Sequence, residues 1–332
     1  MNVPADIRDK YRIIAPGAGW IDRSRRGRIR FEGRDAAAFL HALVSNDVAS
    51  LGAGGGTYAT YLTPQGRMVA DLHVYHRGDH LVVSVPPDAG AALASRFDQV
   101  IFSEDVRVSD VTGEIAQVEV LGGAAAATAA RACGLDVSRL ESLGMHAHTG
   151  EGDTFIARTD AAALPGFDVF VPATRRAELI AALEQAGAVP IGDDLRESLR
   201  IEAARPEFGV DMTSDTIPLE AGLLERGIST SKGCYVGQEV IIRVLHRGGG
   251  RIAKRLVALA LDPGVDELPA PGTALHAAGR ETGRITSAAW SPHEPRVIAL
   301  GYVHRDHSEI GQLVTLHAAG RDWEAEITRV AH

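Results

Sequence analysis

The stretch Lys232-Gly233-Cys234-Tyr235-Val236-Gly237-Gln238-Glu239, which continues to Arg243, decides how the rest of the chain is interpreted. It combines a thiol, an ammonium group, two glycines, an amide and a carboxylate in one short segment. Glycine allows a turn or a close backbone approach that a Cβ would block. A positive charge near a thiol favours the reactive thiolate. The residue types alone therefore predict either a reactive loop or a tight turn around a buried cysteine.

Length and composition limit the class of protein. A chain of 332 residues is long enough for two or three domains, and its hydrophobic content of 45% is ordinary for a soluble globular protein. The net charge of -9 argues against binding nucleic acid by phosphate neutralisation. No apolar run is long enough to span a membrane, and the N-terminus lacks the apolar core of a signal peptide. We therefore expect a cytoplasmic protein with no membrane contact and no direct nucleic-acid binding.

The cysteines and histidines predict neither a disulfide framework nor a metal site. The two cysteines, Cys133 and Cys234, are too few for a disulfide framework. His73 and His76 are three residues apart on a predicted strand, so their side chains point to opposite faces. Neither Cys-x-x-Cys nor His-Glu-x-x-His occurs. We expect no zinc or iron–sulfur cluster held by this chain alone.

The first part of the chain alternates strands and helices. Period-two patterns predict strands at residues 27–33, 58–62, 68–75, 81–85, 106–108, 115–121, 155–158 and 167–171. Apolar stripes predict helices at residues 36–44, 89–101, 124–132, 173–186 and 193–204. Asp35 is the expected N-cap of the first helix, and Thr63-Pro64-Gln65-Gly66 is an expected β-turn. Antiparallel hairpins mixed with helices indicate an α+β fold rather than a doubly wound parallel sheet.

The pattern changes after residue 256. Short apolar strands separated by Gly, Pro and Asp are predicted at residues 257–261, 285–289, 297–303, 313–317 and 323–330. Such a series is typical of a small antiparallel β-barrel. The glycine-rich residues 247–251 form a natural linker. The sequence thus predicts an N-terminal region of two α+β lobes at residues 1–245 and a C-terminal barrel at residues 251–332.

The motif at residues 232–243 closely resembles the signature of YgfZ-type folate-binding proteins. These are relatives of the glycine-cleavage T-protein, an aminomethyltransferase, and are linked to iron–sulfur cluster assembly and repair. Further segments resemble the same family: Phe39-Leu40-His41 through Ser45-Asn46-Asp47-Val48, Leu62 through Met68, and Ile217-Pro218-Leu219-Glu220-Ala221-Gly222. The resemblance implies a three-lobed cloverleaf of antiparallel sheets flanked by helices, with a central folate channel and a C-terminal barrel.

The resemblance also implies ligand residues. Arg200-Ile201-Glu202-Ala203 is similar to the family's Arg-Leu-Glu-Ala-Gly segment, whose glutamate holds the folate pterin. One carboxylate can accept both adjacent N–H donors of a pterin; the alternative for Glu202 is a surface salt bridge with Arg205. The other residues implied to contact folate are Asn46, Tyr58, Arg67, Tyr235, Gln238 and Arg243.

Two departures from the transferase pattern bear on activity. Transferases read approximately Lys-Gly-Asp-Phe-Ile-Gly-Arg-Glu where this chain has Cys234-Tyr235 and Gln238. Of the transferases' Asp-Asp pair, which includes their catalytic aspartate, only the second member is present, because Ala70 precedes Asp71. Losing a carboxylate from a charge-stabilising site can cost orders of magnitude in rate. Asp71 is therefore the candidate acid of any transferase reaction.

Three hypotheses follow. The first is a YgfZ-type protein that binds tetrahydrofolate, or a one-carbon derivative, and supports iron–sulfur enzymes such as tRNA-modifying ones. Its partners would be iron–sulfur proteins or cluster-assembly factors, with Lys232 and Cys234 at a reactive edge. The second is a folate-dependent aminomethyl- or methyltransferase that uses Asp71. The third is a redox-silent scaffold in which the motif only shapes a loop. Whether the chain is an enzyme stays open, and an accessory role is favoured.

Overall fold

Three β-sheets form the framework of the protein. The computed structural model describes residues 5–247, 251–318 and 320–331. Within them lie a five-stranded sheet, a six-stranded sheet and a closed six-stranded barrel. The expected α+β architecture is observed, with open sheets flanked by helices and a closed C-terminal barrel.

The α-helices are mostly short. In chain order they are α1 (Ala5–Ile14), α2 (Ala36–Leu43), α3 (Gly90–Asp98), α4 (Ala125–Cys133), α5 (Val137–Glu141), α6 (Arg176–Gln185), α7 (Asp193–Glu202), α8 (Leu224–Gly227) and α9 (Gln238–Ile242).

The strands of the two open sheets are β1 (Gly19–Asp22), β2 (Arg26–Glu32), β3 (Gly56–Leu62), β4 (Met68–His76), β5 (His80–Pro87), β6 (Arg107–Asp110), β7 (Ile115–Leu121), β8 (His148–Glu151), β9 (Thr154–Thr159), β10 (Gly166–Pro172) and β11 (Val189–Pro190). Those of the barrel are β12 (Lys254–Leu261), β13 (Ala274–Ala277), β14 (Arg280–Trp290), β15 (Val297–His304), β16 (Leu313–Ala318) and β17 (Arg321–Val330).

The five-stranded sheet has the order β3-β4-β5-β2-β6 and is antiparallel throughout. One face packs on α2 and α3 around a core that includes Leu40, Leu72 and Phe97. Because side chains alternate along a strand, the residues of β4 next to Leu72, which are Asp71 and His73, project from the other face. The strand pattern therefore places two ionisable side chains together on one surface.

The six-stranded sheet repeats this arrangement in the order β11-β1-β7-β10-β9-β8. Val118 and Val120 of β7 join an apolar core with residues of α4 and α6. Gln117 and Glu119 alternate with these valines, so they project from the opposite face of β7, and they are buried there. Both open sheets thus contribute a polar face to the space between the lobes.

The barrel closes in the order β12-β15-β14-β13-β16-β17. Its interior is filled by apolar side chains such as Leu259, Ile285 and Ile327. The short barrel strand β13 was not predicted from the sequence; its register with β14 shifts between Leu275 and His276. Residues 248–250 of the expected linker lie outside the described residues, so the division at residues 246–250 stays a prediction.

The stretch at residues 232–243 forms a loop followed by α9, and it fastens two other parts of the chain. The ammonium group of Lys232 donates to the carbonyl oxygens of His41, Val44 (2.6 Å) and Asn46 (3.2 Å), at and just beyond the C-terminal end of α2. Carbonyls at a helix end lack partners within the helix. Gly237, with φ of 84°, packs against the turn that joins β3 to β4. The stretch therefore holds α2 and this turn together.

Asp35 does not cap α2 as predicted. The helix begins at Ala36, but the Asp35 side chain makes no cap hydrogen bond. Its carboxylate instead accepts a hydrogen bond from the backbone N–H of Asp105 at 2.9 Å. A contact with a residue 70 positions away replaces the local cap, which local sequence signals cannot reveal.

We predict that Gly237→Ala destabilises the protein by about 2 kcal/mol or more, because a left-handed backbone is costly for alanine and a Cβ would lie 2.6 Å from the carbonyl oxygen of Thr63. Gly233→Ala is the matched control in the same loop, since a Cβ there meets nothing within 4 Å. Urea unfolding of both variants measures the difference. Equal losses would contradict the packing described for Gly237.

Candidate functional site

A polar cavity lies where the lobes meet, with a volume of about 40 Å³. Its lining is unusually rich in charge. The arginines in it are Arg23, Arg26, Arg196, Arg200, Arg205 and Arg226, and the carboxylates are Asp71, Glu119, Asp168 and Glu207. Because buried charges persist only when paired, the pairing of these groups defines the site.

Asp71 and Tyr58 form the first pair. In the register between β3 and β4, Tyr58 lies opposite His73, which places its hydroxyl diagonally next to Asp71. The Tyr58 hydroxyl donates to Asp71 Oδ2 at 3.1 Å, and the Arg226 guanidinium lies 4.0 Å from the centre of the tyrosine ring. Burial raises the pKa of Asp71, while the charge of Arg26 acts in the opposite direction. Asp71 therefore holds a proton more readily than an exposed aspartate.

His73 completes this face of the cavity. Its ring lies 5.0 Å from that of Tyr58 and 5.5 Å from that of His146. Burial lowers the pKa of His73 well below its ordinary value, and the charge of Arg26 adds to this. The imidazole is therefore neutral at physiological pH, so it has one nitrogen that donates and one that accepts.

Three polar atoms of the cavity wall have no hydrogen-bond partner among the described residues. They are Arg26 Nη2, Asp71 Oδ1 and His73 Nδ1. Arg26 is only 7% exposed, and its Nε donates to Ser84 Oγ at 3.0 Å. A buried polar atom without a partner costs about 1–3 kcal/mol. Such a group of atoms marks a position where a polar ligand gains hydrogen bonds.

A chain of ion pairs closes the cavity on another side. Arg196 contacts Glu119 at 2.7 Å and Glu207 at 3.0 Å, and Arg23 contacts Glu207 at 3.1 Å. Burial opposes the ionisation of Glu207, but Arg196 and Arg23 outweigh it and lower its pKa to about 2. Glu207 is therefore a carboxylate at neutral pH, shared between two guanidinium groups.

Arg200 connects the site to the barrel. Its Nη1 contacts Asp211 Oδ2 at 2.5 Å, and its Nη2 donates to Ser287 Oγ at 3.1 Å. Asp211 in turn accepts hydrogen bonds from Thr286 (2.5 Å) and Ser287 (2.7 Å) of β14. Because Arg200 is fully buried, this network fixes α7 against the barrel.

The structure brings together only some of the residues that the sequence singled out. Tyr58 and Asp71 share the cavity wall. Asn46 lies behind that wall, where its amide donates to the carbonyl oxygen of Tyr58 at 2.8 Å. Arg67 is exposed, outside the cavity lining, and donates to the carbonyl oxygen of Asp215. Of these three residues, Tyr58 lines the cavity; contact of Asn46 and Arg67 with folate stays a prediction.

Glu202 lies outside the cavity lining. One of its carboxylate oxygens accepts a hydrogen bond from Ser291 Oγ at 3.0 Å, and the other lies 3.2 Å from His293 Nε2. Burial raises its pKa, while His293 and Ser291 act in the opposite direction. These contacts engage Glu202 with the barrel. Glu202 Oε2 is a buried atom that has no hydrogen-bond partner among the described residues. The expected role of Glu202 in holding a pterin stays a prediction.

The residues at 232–243 also lie outside the cavity lining. Cys234 is exposed, while Lys232 directs its N–H donors to the end of α2. An ammonium group has three N–H donors, and the three carbonyls use them, so Lys232 is not directed at the thiol as hypothesised. Burial lowers the pKa of Lys232 to about 8. The three acceptors favour its charged form.

The remaining motif residues make contacts with other residues of the protein. Tyr235 is buried, and the Lys232 ammonium lies 5.1 Å from the centre of its ring. Gln238 begins α9, where its N–H donates to the carbonyl oxygen of Tyr235. Arg243 forms an exposed ion pair with Glu239 at 2.6 Å. Contact of these residues with a cofactor stays a prediction.

Four further residues of the cavity were not predicted as site residues from the sequence: Arg26, His73, Glu119 and Glu207. A usable signal was present for Glu119, because β7 reads Ile-Ala-Gln-Val-Glu-Val-Leu and its two polar residues fall on one face. A buried polar residue in an apolar strand is the informative exception. No comparable signal marks Glu207, which follows Pro206 in a loop.

The residues that the structure describes contain neither a candidate metal site nor a candidate membrane-spanning helix. In them, no group of three or more His, Cys, Asp or Glu side chains is placed to hold a metal ion. Among the same residues, no helix has the length and apolar character needed to cross a membrane.

Comparison with known proteins identifies the family. Residues 3–232 match the family described as the GCVT N-terminal domain, and residues 254–331 match the glycine cleavage T-protein C-terminal barrel domain. The chain belongs to the glycine-cleavage T-protein family. Tetrahydrofolate is the cofactor of T-protein family members.

Similar T-protein relatives are named aminomethyltransferase. The one from Geobacillus kaustophilus is 29% identical over 98% of this chain and 90% of its own length. The one from Rubrobacter xylanophilus is 31% identical over 90% of this chain and 79% of its own. The aminomethyltransferase T structure from Bartonella henselae shares the T-protein fold, with a TM-score of 0.87 at 22% identity over 98% of this chain and 89% of that one. The narrower YgfZ-type assignment stays a prediction.

We predict that Asp168→Asn stabilises the protein above pH 6 by roughly 1–3 kcal/mol. Burial, and then the charge of Glu119 directly opposite on β7, raise the pKa of Asp168 to about 6. Since the folded pKa exceeds the ordinary value of 3.8, ionisation destabilises the fold as pH rises from about 4 to 6.

Urea unfolding at pH 4 and pH 7.5 tests this. The variant and the wild type should differ little at pH 4 and clearly at pH 7.5. The variant Asp98→Asn, at an exposed position, is the control for the effect of the same substitution at the surface. A difference that does not change with pH would contradict the burial of Asp168 beside a second carboxylate.

Proposed function

We propose that the chain is a folate-dependent aminomethyl- or methyltransferase whose central cavity takes the pterin of tetrahydrofolate. The observation that carries this proposal is the group of unpaired polar atoms on Arg26, Asp71 and His73. The tetrahydropterin presents an N–H donor, N5–H, beside its C4 carbonyl acceptor, and N5 takes part in one-carbon transfer. Asp71 Oδ1 accepts from such a donor and Arg26 Nη2 donates to such a carbonyl. The donor and acceptor set therefore fits the cofactor of the family.

The space available is a separate requirement. A cavity of about 40 Å³ holds no more than a few water molecules, whereas sites for drug-sized ligands measure roughly 300–1,000 Å³. Pterin binding therefore requires side chains of the cavity wall to move. The backbone of the wall belongs to strands, helices or turns. The movement would therefore come from rotation of the carboxylate and guanidinium side chains that close the wall.

We place the carboxyl group of Asp71 at the site of one-carbon transfer. Tetrahydrofolate, when bound, supplies the nitrogen that carries the one-carbon unit. A carboxyl with a raised pKa can hold or release a proton close to neutral pH. The Tyr58 hydroxyl fixes one carboxylate oxygen at 3.1 Å and leaves the other for the ligand. Burial raises the pKa of Asp71, and the charges of Arg26 and Arg226 act in the opposite direction.

The absence of the first aspartate of the transferase pair does not remove a carboxylate from this cavity. Ala70 occupies that position, and its side chain is buried in the apolar core of the five-stranded lobe, with Leu72 and Tyr61. Strand alternation turns Asp71 to the other face. The position next to Asp71 therefore faces hydrophobic residues, and Asp71 alone serves the cavity.

We predict that Asp71→Asn lowers the rate of one-carbon transfer to tetrahydrofolate by at least about 100-fold, because general acid–base groups contribute 10²–10⁴-fold. Tetrahydrofolate binding should weaken by less than about tenfold, since asparagine keeps one oxygen acceptor. Calorimetry measures binding, and single-turnover assays with methylamine-bearing donors measure transfer.

Glu202→Gln serves as the control for the pterin position. Binding that survives in Glu202→Gln supports the central cavity. Loss of binding in this variant would return the pterin to Glu202. A wild-type protein that binds no tetrahydrofolate, or an Asp71→Asn variant with wild-type transfer, would contradict the proposal.

The second candidate function is the YgfZ-type role in iron–sulfur cluster assembly or repair. One observation favours it: Cys234 is exposed on a loop whose backbone is fixed on both sides by Lys232 and Gly237. A fixed, accessible thiol suits disulfide exchange, a one-carbon adduct or brief contact with a partner's cluster. The partners would then be iron–sulfur proteins, including tRNA-modifying enzymes.

For this second function we predict selective alkylation. At pH 7.5 iodoacetamide should modify one thiol per chain, and Cys234→Ser should abolish the modification. Cys133 is the internal control, because burial raises its pKa to about 11. If cells carrying Cys234→Ser lose iron–sulfur enzyme activity while one-carbon transfer persists, the accessory role is supported. Unchanged activity would leave the motif as a shaping element.

A further inference from the structure

Glu207 stands between two spaces of different size. Outside the central cavity lies a pocket of about 360 Å³. The two spaces share three lining residues, Arg23, Arg196 and Glu207. These three side chains form a partition. The inner cavity of about 40 Å³, with the unpaired atoms of Arg26 and Asp71, lies on one side, and the larger outer pocket lies on the other.

The partition is a carboxylate held by two close guanidinium groups, with the Nε of Arg200 farther away at 4.0 Å. Glu207 Oε1 lies 3.1 Å from Arg23 Nη2, and Oε2 lies 3.0 Å from Arg196 Nη1. The Glu207 side chain is 17% exposed. Each carboxylate oxygen thus has its own charge-assisted partner, which is the arrangement that a ligand carboxylate would also adopt.

The two arginines differ in the carboxylate partners that they keep when the Glu207 side chain moves away. Arg196 keeps Glu119 at 2.7 Å. Arg23 has Glu207 as its hydrogen-bond partner, and a buried guanidinium without a carboxylate is costly. Departure of Glu207 is therefore favoured only when another carboxylate replaces it at Arg23.

The movement required is small. The backbone N–H of Glu207 donates to Asp211 Oδ2 at 3.1 Å, and its carbonyl oxygen accepts from the N–H groups of residues 210–212. This turn fixes the main chain. Only the Glu207 side chain is therefore left to rotate away from the two arginines.

We propose that Arg23 and Arg196 form a binding subsite for a ligand carboxylate, and that Glu207 occupies this subsite as an internal substitute until the ligand displaces it. The ligand class is a pterin that carries an anionic benzoylglutamate tail, a choice that rests on the proposed function. Exchange of one carboxylate for another leaves the charge of the partition unchanged.

The experiment separates the two halves of the ligand. Isothermal titration calorimetry of the full chain uses p-aminobenzoylglutamate as the tail probe and tetrahydropterin as the head probe. Glu207→Gln should bind the tail probe about tenfold more tightly than the wild type, since it no longer competes for the arginines. It should bind the head probe within about twofold of the wild type.

Two further variants serve as controls. Glu178→Gln breaks an exposed pair with Arg175 and should leave both affinities unchanged. The double variant Arg23→Gln/Glu207→Gln should lose the tighter binding of the tail probe that Glu207→Gln alone produces. If Glu207 had only a structural role, removing Arg23 would not cancel that tighter binding. Circular dichroism confirms that each variant is folded, and Arg23→Gln alone, with weaker tail binding, provides the same test if Glu207→Gln does not fold.

The outcomes distinguish this inference from the proposed function. Tail binding that is unchanged or weaker in Glu207→Gln, together with normal head binding, overturns the subsite and leaves the pterin site intact. Failure of every variant to bind tetrahydropterin overturns the proposed function and this inference with it.

Discussion

The pairing of buried arginines with carboxylates is the constraint on which the rest of the structure depends. Burying a guanidinium group without a partner for its charge is costly. Arg196 of α7 satisfies this through Glu119 of the six-stranded sheet, and Arg200 of the same helix through Asp211 and the barrel. Arg226 of α8 pairs with Asp160 at 2.6 Å and covers Tyr58 of the five-stranded sheet. The relative positions of the three lobes are therefore set by charge pairs at their common junction.

This arrangement explains why the junction is polar. Replacing buried ion pairs by well-packed apolar residues is often neutral or stabilising, so a charged junction is weak evidence for stability. The unpaired atoms of Arg26, Asp71 and His73 add a direct cost. We interpret both features as the consequence of a ligand-binding role, in which a polar ligand supplies the missing hydrogen bonds. The same reasoning connects the proposed transferase function with the carboxylate exchange inferred at Glu207.

Much of the fold is predictable from the sequence because it depends on local chemistry. Alternating apolar residues predict most of the longer strands but not the short β1, β8 and β11. The segment Thr63-Pro64-Gln65-Gly66 predicts a turn, in which Gly66 has a positive φ. The barrel strands follow from the same alternation, apart from the short β13. Of the site, Tyr58 and Asp71 were predicted from the family resemblance. Strand alternation then explains why Asp71 faces the cavity with His73.

The remaining site residues were not predictable because tertiary contacts decide their roles. Arg23 and Glu207 are 184 positions apart and meet only in the folded chain. Glu202 matches a family motif, but its contacts with Ser291 and His293 turn it toward the barrel. Lys232 and Cys234 are neighbours in sequence, yet the ammonium group reaches α2 while the thiol faces solvent. Separation along the chain does not report where side chains point.

A crystal structure of the protein with tetrahydrofolate tests the central claim most directly. We expect the pterin edge within hydrogen-bond distance of Asp71 Oδ1 and Arg26 Nη2, with the central cavity enlarged. A pterin located beside Glu202 and His293, or at the loop of Cys234, with Asp71 and Arg26 still unpaired, would contradict the assignment of the central cavity as the functional site.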